Sequence, residues 1–157
     1  SPISIELIIS DNRKAQGLKF GTIFKIPNKV FNYKNKLIAE KKIIYEIKNK
    51  KIKLICLAGF MKILSKSFIK NYKGKILNIH PSLLPKYKGL NTHQRSISNS
   101  EKYSGCTVHF VNSRLDSGRI ILQKRVKISN KETPKTLARK VLKEEHKLYP
   151  KAILKLY

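Results

Sequence analysis

Between Gly74 and His93 a short apolar run, Lys75-Ile76-Leu77-Asn78-Ile79, turns abruptly into a polar loop bounded by Pro81 and Pro85. In a strand alternate side chains share a face, so Asn78 and His80 point the same way and an amide donor meets a titratable imidazole. Pro81 has no N–H to give to a ladder and pushes His80 toward an extended backbone, so the strand must stop there. In open α/β sheets ligands gather outside the carboxyl ends of the strands, which is where His80 falls. The chemistry is therefore expected on residues 78–93, with the rest of the chain as its holder.

The flanking sequence supplies that holder. Residues 3–9 are β-branched and apolar enough for a buried strand, and Ser10-Asp11-Asn12 is turn chemistry before a short helix expected to break near Gly17 and Gly21. Residues 22–26 read as a second strand ending at Pro27, with a loop over 28–32. From about 33 to 50, Leu37 with Ile44 and Ile38 with Tyr45 recur seven apart, joined by Ile47, which predicts an amphipathic crossover helix. Residues 52–57 form a nearly all-apolar strand, as one covered on both faces should be, and Ser65 can cap a short helix through Phe68 and Ile69. Thr92 can cap the next helix, residues 107–111 alternate as a strand, and residues 114–118 read as an Asx turn before a strand over 119–123. Thr133-Pro134 opens the last helix, with Leu137, Val141, Leu142 and Leu148 on its buried face. Six strands alternating with helices indicate an α/β domain, Rossmann-like and doubly wound, with a mostly parallel sheet.

Composition excludes several classes. The 157 residues suit one domain, and no apolar run approaches the ~20 residues of a membrane span, so no membrane partner is expected. The opening residues, Ser1 onward, have neither the charged n-region nor the cleavage site of a signal peptide. Cys56 and Cys106 have no Cys-x-x-Cys spacing and form no disulfide framework, which fits a reducing cytoplasm with both thiols buried. Thirty-five basic against nine acidic residues give a net charge of +26. That surplus raises a basic nucleic-acid-binding module as a rival reading. Against it, the lysines are spread over every element, arginine is scarce, and the favoured residues share A/T-rich codons. No specific nucleic acid is expected, although such a field attracts phosphorylated and polyanionic small molecules. No Gly-x-Gly-x-x-Gly or Gly-x4-Gly-Lys occurs, and the histidines lack metal-ligand spacing, so no metal is implied.

The segments Asn78-x-His80-Pro81-Ser82-Leu83-Leu84-Pro85, Gly89-Leu90-x-Thr92-His93, residues 57–65 and Leu115-Asp116-Ser117-Gly118 closely resemble the glycinamide ribonucleotide formyltransferases of purine (IMP) biosynthesis, over nearly the whole chain. The resemblance implies the formyltransferase fold and transfer of a formyl group from the cosubstrate 10-formyltetrahydrofolate to the amine of glycinamide ribonucleotide. It implies catalytic roles for Asn78, His80 and Asp116. It implies folate contacts from Lys36, Met61, Lys62, Ile63 and Leu64 together with Asn78 and Asp116, substrate contacts from Pro81 and Glu145, and a monomer or homodimer. His109 matches a residue near the site, without a direct catalytic role. The family commonly has Arg where Lys62 stands and Gly where Ser117 stands. Two formyl-transferring neighbours, formyltetrahydrofolate deformylase and methionyl-tRNA formyltransferase, are the alternatives; the latter lacks the proline after its histidine. Finally, residues 3–9 resemble the family's second strand. The expectation is thus a single catalytic domain, 1–157, truncated at both ends. It would lack the first strand and its phosphate-holding loop and have weak or no activity alone.

Overall fold

The computed structural model describes residues 2–157; Ser1, with which the opening-segment expectation begins, lies outside the described residues. In chain order the elements are β1 (Ile8–Ser10), α1 (Gln16–Ile23), β2 (Asn28–Val30), α2 (Lys36–Asn49), β3 (Leu54–Leu57), α3 (Lys66–Asn71), β4 (Lys75–His80), α4 (Thr92–Ser98), β5 (Tyr103–Phe110), β6 (Ile120–Lys127) and α5 (Pro134–Leu154). They group into two compact units, one of residues up to Lys53 with Leu64–Gly74, the other of Leu54–Ile63 with Lys75–Tyr157.

The first unit pairs β1 and β2 in parallel, Ile8 opposite Asn28 and Ser10 opposite Val30. Only Ile8–Ser10 of the expected first strand joins this ladder. Residues 22–26 are not a strand: α1 runs through both glycines to Ile23, and the pairing residues are Asn28–Val30, which the sequence suggested as loop. Gly21 is buried because a β-carbon there would lie 2.8 Å from the Asn28 amide nitrogen, so helix and strand approach closely at that point. On α2 the buried face is Ala39, Glu40, Ile43 and Ile47, whereas Leu37, Ile38 and Tyr45 are exposed. Glu40 explains the rotation. Its carboxylate takes the Ser65 N–H at 3.0 Å and the Ser65 hydroxyl, so a charged residue is held inside by paired hydrogen bonds. Ser65 in turn caps α3 by accepting from the Phe68 N–H, as expected.

The second unit is a four-stranded sheet in the order β3-β4-β5-β6. β3 and β4 are parallel, and β5 and β6 extend the sheet antiparallel. β6 reaches Lys127, four residues beyond the expected end. The core joins Ile79, Cys106, Val108 and Val126 of the sheet to Leu137, Val141, Leu148 and Ala152 of α5. Burying each of the larger of these side chains contributes about 1.5–3 kcal/mol. Leu142 is exposed, one position off the stripe that faces the sheet, and Cys56 is exposed too, so only Cys106 is the buried thiol expected. Thr133 caps α5 through the Thr136 N–H ahead of Pro134. From the same helix the Tyr149 hydroxyl lies 2.8 Å from the Leu57 carbonyl and 3.2 Å from that of Leu77, fixing α5 against the end of β3 and the middle of β4. Among the described residues no helix is long and apolar enough to cross a membrane.

Candidate active site

β4 ends at His80, and the register sets Asn78 opposite His109 and His80 opposite Thr107 on β5. The loop after Pro81 is bound back onto the sheet by one buried hydroxyl. Thr107 Oγ1 donates to the Ser82 carbonyl at 2.7 Å and accepts from the Leu84 N–H at 3.1 Å and from Gln123 Nε2 at 2.9 Å. Gln123 Nε2 also reaches the Leu84 carbonyl at 2.8 Å. Gly105 is obligatory beneath this loop, since a β-carbon there would collide with the Lys124 carbonyl and come within 2.6 Å of Leu83. Thr92, expected as a helix cap, instead donates its hydroxyl to the Pro81 carbonyl at 2.9 Å; the cap position belongs to Asn91, in the left-handed region at φ 55°.

Asp116 closes the site from the β5–β6 connection. It too adopts a left-handed backbone, φ 47°, and its carboxylate is almost fully buried. Its Oδ2 accepts the Gly89 N–H at 2.9 Å and lies 3.5 Å from His80 Nδ1, while Oδ1 lies 3.8 Å from His109 Nε2. Lys88 Nζ reaches Ser117 Oγ at 2.9 Å, a second latch between the two loops. Gly118 permits this path, because any β-carbon would strike the Phe110 carbonyl.

The two histidines beside Asp116 differ in what they offer. His80 Nε2 lies 2.8 Å from the Tyr87 carbonyl, which can only accept, so Nε2 carries a proton. The opposite nitrogen faces a carboxylate, and a protonated ring can donate from both sides. His109 Nδ1–H donates to the Phe110 carbonyl at 2.8 Å. Burial pushes the His109 pKa down, so the ring is neutral and Nε2 is an acceptor, set 3.4 Å from the Asn78 amide nitrogen. His109 thus orients the Asn78 amide with its nitrogen toward the site. His93, in the first turn of α4, feels the charge of His80 and is also pushed down, chiefly by burial; its Nδ1 is buried without a hydrogen-bond partner.

A family model described as formyl transferase matches residues 2–153. The chain belongs to the formyl transferase family. It is 41% identical over 97% of its length to the phosphoribosylglycinamide formyltransferase of Haemophilus influenzae, covering 73% of that protein, and 36% identical to the Bacillus subtilis protein of the same name, covering 80%. It is 40% identical to the human trifunctional purine biosynthetic protein adenosine-3, of which it spans 15%. Among solved structures, the phosphoribosylglycinamide formyltransferase of Anaplasma phagocytophilum superposes with a TM-score of 0.91 at 38% identity, over 98% of this chain and 74% of that one. The α/β fold read from the alternation of strands and helices is the fold of these formyl transferases.

Within this family member the structure brings Asn78, His80 and Asp116 together, as the spacing and the resemblance anticipated. Met61, Lys62 and Ile63 follow β3 with exposed side chains. Leu64 is buried, and it and Lys36, at the start of α2, belong to the other compact unit. Pro81 is half-buried directly after His80. Glu145 sits half-buried on α5, where burial pushes its carboxyl up and its charge is felt by the Cys106 thiol. Sequence reasoning missed Tyr87, Gly89 and Thr107. The first two act through backbone atoms, which leave no mark in side-chain identity, and Thr107 looked like an ordinary strand residue.

Proposed function

We propose that this chain carries the catalytic machinery by which the formyl group of 10-formyltetrahydrofolate is transferred to the amine of glycinamide ribonucleotide in the cytoplasm. The observation that carries the reading is the convergence of the Asn78 amide, the His80 imidazole and the Asp116 carboxylate at the end of β4. The substrate amine attacks the formyl carbon, and the carbonyl pair moves onto oxygen. Protonated His80, from Nδ1 while Nε2–H stays on the Tyr87 carbonyl, and the Asn78 N–H donate to that oxyanion, each donor being worth ~3 kcal/mol by analogy with other oxyanion holes. Collapse then breaks the bond from carbon to the folate nitrogen. The proton lost by the amine passes through water and Asp116 to that nitrogen. His109, neutral by burial, keeps the Asn78 nitrogen turned inward throughout.

In this reading Met61, Lys62 and Ile63 enclose the pteridine together with residues 111–116, and Pro81 and Glu145 contact the ribonucleotide. The surplus of 35 basic over nine acidic residues draws both polyanionic reactants toward the protein. Asn78→Ala and Asp116→Ala are each expected to lower kcat in the intact protein by at least 100-fold. Turnover within a few-fold of wild type in either variant would sink the assignment.

A further inference from the structure

We infer that Tyr87 and Glu101 form a positioning clamp on His80, in which the Tyr87 carbonyl fixes the imidazole and the Glu101 carboxylate, through the Tyr87 hydroxyl, fixes that carbonyl. The inference rests on the reading of His80 as the donor to the formyl oxygen. An imidazole turns easily about its terminal torsion, which is broad and weakly biased, so its direction must be set from outside. Asp116 is a loose reference at 3.5 Å, whereas the Tyr87 carbonyl at 2.8 Å is a close one.

That carbonyl is itself placed by an unusual backbone. Tyr87 has φ 55°, a conformation a bulky residue keeps only where its surroundings dictate it. The phenol hydroxyl donates to Glu101 Oε1 at 2.8 Å, and Lys86 Nζ reaches the same oxygen at 2.9 Å. The Arg95 guanidinium lies 5.5 Å from the Tyr87 ring centre, and its Nη2 donates to the Lys88 carbonyl at 2.6 Å. Ser82 Oγ donates to the Lys86 carbonyl at 2.6 Å. The same Ser82 Oγ lies 3.3 Å from the Tyr87 carbonyl, so the carbonyls of Lys86 and Lys88 on either side are held by Ser82 and Arg95, and that of Tyr87 is steadied by Ser82 as well. The Lys86 hydrogen bond, with that of Tyr87 second, holds the Glu101 carboxyl below the usual range, so it stays an acceptor. Glu101 follows α4, where its N–H bonds the Ser96 carbonyl at 3.1 Å, so the clamp is seated on a helix end rather than on the mobile tip of a loop.

The test uses Tyr87→Phe, Glu101→Ala and Glu101→Gln, with His80→Ala to assign the ring signals. Two readouts are taken on the intact protein: kcat and KM for formyl transfer, and the nitrogen-15 NMR signal of the His80 Nε2–H. Tyr87→Phe and Glu101→Ala are expected to lower kcat about fivefold with KM within twofold, and to broaden or lose the Nε2–H signal. Glu101→Gln, whose amide oxygen still accepts the phenol hydroxyl, restores both. An Nε2–H signal retained in Tyr87→Phe and Glu101→Ala overturns the clamp whatever the turnover. A lost signal with unchanged kcat overturns its part in catalysis. Wild-type turnover in His80→Ala instead refutes the catalytic reading of His80, and the NMR signal then decides the clamp by itself.

Discussion

Replacing Thr107 by valine keeps the shape of the side chain and removes one hydroxyl, at a position that is 0% exposed. Three hydrogen bonds go with it. Gln123 Nε2 retains the Leu84 carbonyl as a partner, but the Ser82 carbonyl and the Leu84 N–H are left without Thr107 in buried surroundings. An orphaned buried backbone group costs about 1–3 kcal/mol. Two of them, less about 1 kcal/mol regained because valine has no hydroxyl to desolvate, give a net loss of about 1–5 kcal/mol. Thr107→Ser keeps the hydroxyl and loses only a methyl group, for about 1 kcal/mol. Urea unfolding of the two variants separates the effects. With a slope near 2 kcal/mol/M, the valine variant should lower the midpoint by about 0.5–2.5 M, centred near 1.5 M, and the serine variant by about 0.5 M. Because the same loop carries the carbonyl that holds His80, kcat should fall in the valine variant and not in the serine one. If apolar packing decided the matter the order would reverse, and a valine variant as stable as the serine variant would refute the argument.

Gly118→Ala forces a methyl group onto the Phe110 carbonyl, so the β5–β6 connection must shift; a loss of about 1–3 kcal/mol on unfolding and a reduced kcat through the displaced Asp116 are expected, and an active variant of wild-type stability would show that the connection yields freely. Burial lowers the pKa of His109, so below its ordinary value near 6.5 the unfolded chain binds a proton that the folded chain refuses, and stability is lost as pH falls through that range. Between pH 7.5 and 5.5 the wild-type urea midpoint should therefore drop further than that of His109→Gln, and parallel midpoints would contradict a histidine held neutral.

The central strand and its loop were legible because their signals are local. Pro81 ends a ladder by chemistry any sequence carries, and the two-residue spacing of Asn78 and His80 fixes their shared face. The first unit was less legible. Residues 22–26 look β-branched, yet the last turn of α1 and the reversal after it claim them, and Pro27 opens the pairing of β2 instead of closing a strand. On α2 the apolar heptad spacing misled because Glu40 is buried against Ser65, a partner 25 residues away that no periodicity reports. The same limit hid the support of the site. His80 is oriented through the Tyr87 backbone, and Thr107 earns its place through contacts to Ser82, Leu84 and Gln123 that exist only once β5, β6 and the loop are assembled.

The destination of the formyl carbon separates the three possible reactions. Incubating the protein with 10-formyltetrahydrofolate labelled with carbon-13 in the formyl group, and offering glycinamide ribonucleotide, methionyl-tRNA or water alone, follows that carbon directly by NMR. Label is expected in a new amide on glycinamide ribonucleotide, abolished in His80→Ala, with little formate released when no amine is present. Formate appearing at the same rate without the ribonucleotide, or label transferred to the tRNA in preference to it, would contradict glycinamide ribonucleotide as the acceptor.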